Sequence, residues 1–259
     1  MLPSERRRRL LARLNEDGPL AVPELSAKLR VSAATVRRDL RLLESAGRLR
    51  RVRGGALPAL APGDTAEPLH QEKVRRHLRE KQAIASEAAG RVHDGFVVAL
   101  DSGTTTLALA RELRKVDNLT VITTDLKIAL VLADAPSTDV IIVGGSVRKS
   151  LYSVVGPLAE RAVAELNAQV CFLGADAIDV ASGVTNASLS EVAVKRALLR
   201  CGRERILLAD HSKFDLVSLA EVAPLDGFTE VITDDGIASD VASKYRAEGA
   251  NLTLARMEG

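Results

Sequence analysis

Between residues 96 and 233 the sequence alternates short apolar runs with amphipathic segments of helical length, and this pattern restricts the fold more than any other feature. The runs at 96–100, 119–123 and 170–174 are apolar at nearly every position. Strands of this kind are buried on both faces, which is typical of a mainly parallel sheet with helices on both sides. The pattern predicts an α/β domain that binds ligands beyond the carboxyl ends of its strands.

The charges are distributed unevenly along the chain. Residues 1–60 contain 14 Lys and Arg residues against 6 Asp and Glu residues, although the whole chain has a net charge of only +2. A basic module with a net charge of +8 therefore precedes a body with a net charge of −6. This asymmetry indicates that the first module alone has a polyanionic partner.

Composition excludes several other classes of protein. Hydrophobic residues make up 46% of the chain, enough for a core, but aromatic residues are only 2%, which excludes stacking platforms for single-stranded nucleic acid. Cys171 and Cys201 have no metal-ligand spacing, so we expect free thiols, no metal site and no cofactor. No apolar run has the length of a membrane span and no signal-peptide core is present, so we expect a cytoplasmic protein without membrane contacts.

Three short helices are predicted near the N-terminus, at residues 4–15, 22–29 and 33–45. The second and third are separated only by the tight turn at 30–32, where Ser32 is placed to cap the third helix. This arrangement predicts a helix-turn-helix whose third helix enters the major groove of DNA.

An arginine-rich segment at 48–55 follows, in which Leu49 and Val52 alternate with arginines, and it predicts a β-hairpin wing. The residues expected at DNA lie on the outward face of the third helix or in the wing: Ser32, Thr35, Arg37, Arg38, Arg41, Arg50, Arg51 and Arg53. We expect Arg37 and Arg38 in the groove and the wing arginines at backbone phosphates. A charge run is often only a solvated face, but here it coincides with both DNA-contacting elements.

A hinge is predicted at residues 57–68, which contain three prolines and show no periodicity. We therefore expect a winged helix-turn-helix domain at 1–57, a linker with a connecting helix at 58–80, and a larger α/β sensor domain at 81–259.

Residues 101–106, Asp-Ser-Gly-Thr-Thr-Thr, form the most polar strand end, between a strand and a helix. Hydroxyls and backbone N–H groups at a helix N-terminus suit a phosphate or a carboxylate. The loop has neither the Walker A nor the GxGxxG pattern, and an ordinary Ser/Thr-rich helix cap remains the alternative. The residues expected around an effector lie at several strand ends: Asp101, Ser102, Gly103, Thr104, Thr105, Thr106, Thr124, Gly144, Gly145, Asp176, Glu191, Lys195 and Lys213.

Glu191 and Lys195 are four residues apart on one predicted helix face. One interpretation places them at the ligand, and the other makes them an ordinary surface salt bridge worth about 0.3–0.5 kcal/mol. The sequence favours neither.

Two sets of residues resemble the DeoR family of transcription regulators. The first, in the DNA-binding module, comprises Leu25-Ser26, Val31-Ser32, Thr35 to Leu40, Leu43-Glu44, Gly47, Arg51 and Gly54 to Ala56. The second comprises Asp101 to Thr106, Gly144-Gly145, Val155-Gly156, Gly174 to Asp176, Glu191, Lys195 and Asp210 to Phe214. The resemblance covers nearly the whole chain.

This resemblance implies a regulator rather than an enzyme, with a sensor fold similar to sugar-phosphate isomerases and CoA transferases. It implies repression of sugar or other carbohydrate catabolic genes, with release from double-stranded operator DNA when a phosphorylated sugar binds. We also expect a homo-oligomer, either a dimer or a tetramer. One departure is Asp125, where many relatives carry Asn, and the extra negative charge is expected to influence ligand choice.

Two other classes of function remain open from the sequence. Asp176, Asp179 and Glu191 resemble the acidic set of a ribose-phosphate-isomerase-like enzyme, but its usual lysine before the turn at Gly183 is missing. The other class is a DNA-binding architectural protein whose C-terminal domain binds nothing.

Overall fold

The computed structural model describes residues 3–17, 20–29, 31–45, 49–52, 55–58, 73–74, 76–149 and 151–257. The chain divides into two compact units, an N-terminal unit at Met1–Glu67 and a C-terminal unit at Pro68–Gly259. Most of the predicted linker, residues 59–72 and 75, lies outside the described residues, so the three predicted domain limits stay a prediction.

The N-terminal unit contains the predicted helix-turn-helix and its wing. Its elements are α1 (Pro3–Asp17), β1 (Leu20–Ala21), α2 (Val22–Leu29), α3 (Ala33–Ser45), β2 (Leu49–Val52) and β3 (Gly55–Pro58). Strand β3 pairs antiparallel with both β1 and β2, so the hairpin is anchored to the start of α2 by a third strand, which was not predicted. Gly55 permits this pairing, because a Cβ there would lie 2.4 Å from the carbonyl oxygen of Leu20.

The three helices bury the apolar stripes that predicted them. Leu14, Leu25, Val36 and Leu40 form a core in which each is at most 1% exposed. Ser32 caps α3 as expected, since the backbone N–H of Thr35 donates to its Oγ at 3.2 Å. The recognition helix is thereby fixed at its start and along its inner face.

One carboxylate interrupts the apolar face of α3. Asp39 is only 3% exposed, and it accepts hydrogen bonds from the guanidinium of Arg6 at 2.5 and 3.3 Å. Pairing offsets the desolvation of the buried charge, and the two-point contact ties α1 to the recognition helix. Arg6 therefore helps to fix the position of α3.

The C-terminal unit is an α/β structure. Its strands are β4 (Val97–Leu100), β5 (Leu119–Thr123), β6 (Thr138–Ile142), β7 (Ser146–Val147), β8 (Val154–Val155), β9 (Ala168–Gly174), β10 (Ala177–Asp179), β11 (Gly183–Asn186), β12 (Gly202–Leu208), β13 (Ala220–Ala223), β14 (Glu230–Asp234) and β15 (Leu252–Ala255). Its helices are α4 (Leu78–Ala89), α5 (Thr104–Leu113), α6 (Leu126–Ala133), α7 (Pro157–Ala164), α8 (Leu189–Cys201) and α9 (Ser239–Ala247). Two short 3-10 helices, His211–Lys213 and Leu225–Gly227, complete the described elements.

Seven of these strands form one sheet in the order β15-β14-β12-β9-β4-β5-β6, and every neighbouring pair is parallel. Alternate residues face opposite sides: Ala99 joins a core containing α7, α8 and α9, whereas Val98 and Leu100 join a core containing α4, α5 and α6. The prediction of a parallel sheet covered on both faces is confirmed.

The strand order reverses between β4 and β9. From β4 the chain continues through β5 and β6 toward one edge, and it then returns to place β9, β12, β14 and β15 on the other side. In open α/β sheets such a switch point leaves a crevice at the carboxyl ends of the two central strands. Here those ends are Leu100 and Gly174, followed directly by the predicted effector residues.

Smaller elements depart from the sequence expectations. The described residues contain a three-stranded sheet, β10-β11-β13, and a two-stranded hairpin, β7-β8, whose strands are too short to form a periodic pattern. Helix α9 and strand β15 were also missed, because α9 buries only Ala242 and Tyr245 and so has a weak apolar stripe. No helix in the described part of the chain combines the length and apolar character needed to cross a membrane.

Candidate functional site

The loop after β4 opens helix α5. The helix begins at Thr104, three residues before the predicted start, so the threonines form its first turn. Ser102, Gly103 and Thr104 are half-buried, Thr105 and Thr106 are buried, and the Thr106 hydroxyl donates to the Gly103 carbonyl oxygen at 3.0 Å. The N–H groups of a first helical turn have no partner within the helix, so the loop retains donors for an anion.

A buried ion pair lies at the switch point, directly beneath this loop. Lys195 of α8 is 4% exposed; its Nζ contacts Asp101 Oδ2 and donates to the Gly174 carbonyl oxygen at 2.9 Å. The Gly174 N–H also donates to Asp101 Oδ2, at 3.1 Å. Burial alone lowers the pKa of Lys195, but the charges of Asp101 and Glu191 outweigh it and raise that pKa above its ordinary value. A buried ion pair therefore joins the ends of β4 and β9.

Glu191 lies one turn earlier on α8 and is also buried. Its carboxylate accepts hydrogen bonds from Ser153 Oγ at 2.7 Å and Asn186 Nδ2 at 2.9 Å, and it forms an ion pair with Arg148. The interpretation of Glu191 and Lys195 as a surface salt bridge is wrong, because both side chains are buried and each contacts different residues. Both side chains point inward from α8: Glu191 contacts the β7-β8 hairpin and β11, and Lys195 contacts the ends of β4 and β9.

Asp176 follows β9 and extends the charged network. Lys73 Nζ donates to its Oδ1 at 3.1 Å, and the Ala187 N–H donates to its Oδ2 at 3.1 Å. Burial raises the pKa of Asp176, but Lys73 and the Ala187 N–H outweigh burial and hold it below its ordinary value. Asp179 instead accepts hydrogen bonds from the N–H groups of Ala181 and Ser182 in its own turn. These bonds stabilise the turn, so its role is structural.

Asp125 lies two residues beyond the neighbouring strand, β5, and follows the buried residue Thr124. Its Oδ1 caps α6 by accepting the N–H groups of Lys127 at 2.7 Å and Ile128 at 3.1 Å, whereas its Oδ2 has no hydrogen-bond partner of normal geometry among the described residues. Burial raises the pKa of Asp125 to about 6, and the charge of Asp101 adds to the rise. The backbone N–H groups of Ile128, Lys127 and Gly103 stabilise the carboxylate and lower the pKa, but they do not outweigh burial.

From the raised pKa of Asp125 we predict how the stability of the fold depends on pH. The folded protein binds the Asp125 proton more tightly than the unfolded chain, so ionisation between about pH 4 and pH 6 destabilises the fold. We expect Asp125→Asn, which keeps an N-cap oxygen, to raise the free energy of unfolding by at most about 3 kcal/mol above pH 7 and by about half as much at pH 5. Urea unfolding followed by tyrosine fluorescence measures this, since both tyrosines, Tyr152 and Tyr245, lie in the C-terminal unit. A gain that is equal at the two pH values would contradict the assignment.

Gly144 and Gly145 follow β6, at the far side of β5. A Cβ on Gly145 would lie 2.8 Å from the Val155 carbonyl oxygen and 2.9 Å from a methyl group of Val154, so this glycine permits close packing of the β7-β8 hairpin. At Gly144 a Cβ would meet open space. The structure thus gives Gly145 a packing role, and the predicted effector contact of both residues stays a prediction.

A second charged cluster lies at the end of β12, two strands from β4 and therefore about 10 Å away. Asp210 is 1% exposed, and its Oδ2 lies 3.6 Å from Nζ of Lys81, a buried residue of α4. Burial lowers the pKa of Lys81 despite the charge of Asp210. Burial raises the pKa of Asp210, but Ser212, Lys213 and Lys81 outweigh it and keep that pKa low. The predicted effector residue Lys213 is half-buried, and its charge acts on Asp210.

Lys81, Arg148 and Ser153 join the two charged clusters although they were not among the predicted site residues. Lys81 had a usable signal, since it shares the i, i+3, i+7 face of α4 with Ile84 and Ala88, and a lysine on an apolar stripe indicates a buried partner. Arg148 and Ser153 lie around the short β7-β8 hairpin, where no periodic pattern marks them.

Three of the arginines predicted to contact DNA are exposed on one helix of the N-terminal unit. Arg37, Arg38 and Arg41 are exposed on α3, Ser32 is exposed at its start, and Thr35 is half-buried. Arg50 and Arg51 lie in β2, and Arg53 lies outside the described residues. A helix that presents three arginines to solvent suits contacts with phosphates and guanine edges.

Comparison with known proteins identifies both units. A family described as "DeoR-like helix-turn-helix domain" matches residues 6–59, and one described as "DeoR C terminal sensor domain" matches residues 76–235. The HTH-type transcriptional regulator GolR of Listeria innocua is 33% identical over 98% of this chain and 100% of its own length. The transcriptional repressor AccR of Agrobacterium fabrum is 34% identical over 90% of each chain. These relatives are named as regulators of transcription and not as enzymes.

A more distant likeness is to the ribose 5-phosphate isomerase of Methanocaldococcus jannaschii. That structure is 18% identical, with a TM-score of 0.40 over 53% of this chain and 55% of its own.

Proposed function

Because the chain belongs to the DeoR family of transcriptional regulators, we propose that it represses genes of sugar or other carbohydrate catabolism and leaves its operator when a phosphorylated sugar binds the C-terminal unit. The part of this proposal that concerns the effector rests on one observation, the site at the switch point of the sheet. There, the first-turn N–H groups of α5 lie above a buried Lys195–Asp101 pair. N–H donors at a helix N-terminus, held at the carboxyl ends of parallel strands by a buried ion pair, suit a phosphate group.

Acidic groups around this site suit the rest of such a ligand. Asp176 lies at the end of β9 and Asp125 at the end of β5, on either side of the α5 loop. Carboxylates accept hydrogen bonds from sugar hydroxyls, whereas they repel a second phosphate. We therefore infer a singly phosphorylated polyhydroxy ligand, with its phosphate at residues 102–105 and its hydroxyls toward the carboxylates.

Release from DNA requires that the ligand favour one conformation of the protein. A ligand shifts a two-state equilibrium only by its difference in affinity for the two states, so the effector binds the DNA-incompetent state more tightly. In the proposed homo-oligomer, two helix-turn-helix units contact half-sites about 10 bp apart, or a multiple of that spacing.

The proposal is tested with a panel of phosphorylated sugars and their unphosphorylated counterparts. We expect one phosphorylated member, at 100 times its dissociation constant, to add about 2.7 kcal/mol to the stability of the C-terminal unit and to release labelled operator DNA. Thr105→Ala and Lys213→Ala are expected to bind operator DNA as the wild type does but to lose release by that sugar. Lys115→Ala is the matched control, since Lys115 is exposed and pairs with Glu112 on the surface.

Two results would contradict the proposal. Loss of operator binding in Thr105→Ala and Lys213→Ala, with their folding intact, would refute the separation of sensing from DNA binding. The absence of a thermal shift with every phosphorylated sugar would favour a purely structural C-terminal unit.

A further inference from the structure

Two histidines and a glutamate meet at one edge of the C-terminal unit, beside the second charged cluster. His77 directly precedes α4, Glu80 lies in the first turn of α4, and His211 begins the 3-10 helix after β12. One potential ligand atom from each lies within 4.8 Å of the other two. His77 Nδ1 lies 3.3 Å from Glu80 Oε1, and the two imidazole rings meet edge to face with centroids 5.3 Å apart. From these residues we propose a binding site for one divalent transition-metal ion of the zinc class.

The donor set fits that class of metal. Two imidazole nitrogens and one carboxylate oxygen are ligands that zinc accepts at about 2.0–2.2 Å, with a fourth position left for water or another ligand. Ligand atoms around one such ion lie about 3–4 Å apart, so the three groups need to close by about 1 Å. Each of the three side chains is 20–35% exposed, which leaves room for that movement and for entry of the ion.

His211 is held as a metal-binding histidine is usually held. Its backbone N–H donates to Asp234 Oδ1 at 2.8 Å, and its ring Nδ1 lies 2.6 Å from Asp234 Oδ2. A carboxylate at Nδ1 fixes the ring and leaves Nε2 for a metal. Gly236 makes room for this pair, because a Cβ there would lie 2.7 Å from Asp234 Oδ2 and 3.0 Å from His211 Nδ1. The support of the histidine is therefore built into the backbone.

The backbone conformation of His77 also supports a metal site. Its φ of 52° and ψ of 47° lie in the left-handed region, which is uncommon for a residue other than glycine. Such conformations persist where the surrounding structure compensates for them, and they cluster at ligand sites. Here the conformation places the imidazole beside Glu80 and His211 at the start of α4.

The surrounding charges are close to balanced before an ion binds. Asp210 and Asp234 are carboxylates next to the cluster, and Lys81 and Lys213 are the cations that act on Asp210. The carboxylate of Glu80 adds one further negative charge. A divalent ion therefore enters a region with a slight excess of negative charge.

The test uses the full-length chain, stripped of metal by a chelator and titrated with Co²⁺, whose visible absorption reports its ligands. We expect one Co²⁺ per chain, with nitrogen and oxygen coordination, no thiolate charge-transfer band and displacement by Zn²⁺. The thiols of Cys171 and Cys201 are buried, so they do not contribute. His211→Ala, His77→Asn and Glu80→Gln are each expected to weaken Co²⁺ binding by about tenfold or more.

His77→Asn is the decisive variant, because Asn tolerates the left-handed conformation and Asp234 keeps its imidazole partner, whereas His211→Ala removes that partner from a buried carboxylate. His93→Ala is the matched control, since His93 packs on Phe96 away from the cluster and its loss leaves binding unchanged. Absence of stoichiometric Co²⁺ binding, equal binding by the wild type and His77→Asn, or a thiolate band would each overturn the proposal.

Discussion

Replacing Lys195 by methionine is expected to lower the free energy of unfolding of the C-terminal unit by about 3–5 kcal/mol. Methionine fills the volume of the lysine stem, but it leaves Asp101 as a buried charge whose described contacts then reduce to the N–H of Gly174. Removal of one partner from a buried ion pair is among the most destabilising substitutions, since the other charge has no compensation. Urea unfolding followed by tyrosine fluorescence reports this unit alone, because both tyrosines lie in it.

Two further variants separate the buried charge from other effects. Arg200→Met changes an exposed residue on the same helix and is expected to alter stability by about 0.5 kcal/mol or less. The double variant Lys195→Met with Asp101→Asn removes both charges, so it is expected to recover much of the lost stability. A loss in Lys195→Met below about 1 kcal/mol, or a double variant that is less stable than the single one, would contradict the central role of this pair.

Arg37→Ala and Arg38→Ala are each expected to weaken operator binding by about 1–3 kcal/mol, which is roughly tenfold to hundredfold. Both side chains are exposed on the recognition helix, and neither contributes to the buried face formed by Val36 and Leu40. Their loss therefore affects DNA contacts and leaves the fold and the C-terminal unit unchanged. Fluorescence anisotropy with operator DNA and with unrelated DNA gives the affinity and the specificity together.

The salt dependence of the two variants distinguishes base contacts from phosphate contacts. An arginine that holds a phosphate reduces the slope of log affinity against log salt by about one, whereas one that reads a guanine mainly relaxes the sequence preference. Arg9→Ala is the control, since Arg9 is exposed on α1 and pairs with Glu5 at 2.7 Å. Equal operator affinity in the wild type, Arg37→Ala and Arg38→Ala would exclude α3 as the recognition helix.

Long periodic segments were predictable from the sequence because burial imposes their pattern. Helix α3 and strand β5 have the predicted limits, and the winged helix-turn-helix and the parallel sheet follow from such segments. The start of α5 was placed three residues late for a related reason: its apolar stripe begins at Leu107, whereas its first turn consists of threonines. Apolar periodicity detects the buried face of an element and not its polar first turn.

The partners within the site were not predictable in the same way. Lys195 and Asp101 are 94 positions apart, and Glu191 contacts Ser153 across 38 positions. Such pairs depend on which strands become neighbours, and the reversal of strand order between β4 and β9 sets that. The residue types at strand ends therefore predicted where a site lies, but its internal contacts required the topology.

Helix α8 holds four segments of the C-terminal unit through two side chains one turn apart. Glu191 contacts the β7-β8 hairpin and β11, and Lys195 contacts the ends of β4 and β9. Rotation of α8 about its own axis would break both sets of contacts at once, so local opening at this place is all-or-none. In hydrogen exchange, the amides of Gly174, bonded to Asp101, and of Val154, bonded to the Thr124 carbonyl, should lose protection at a common rate, as a single cooperative unit.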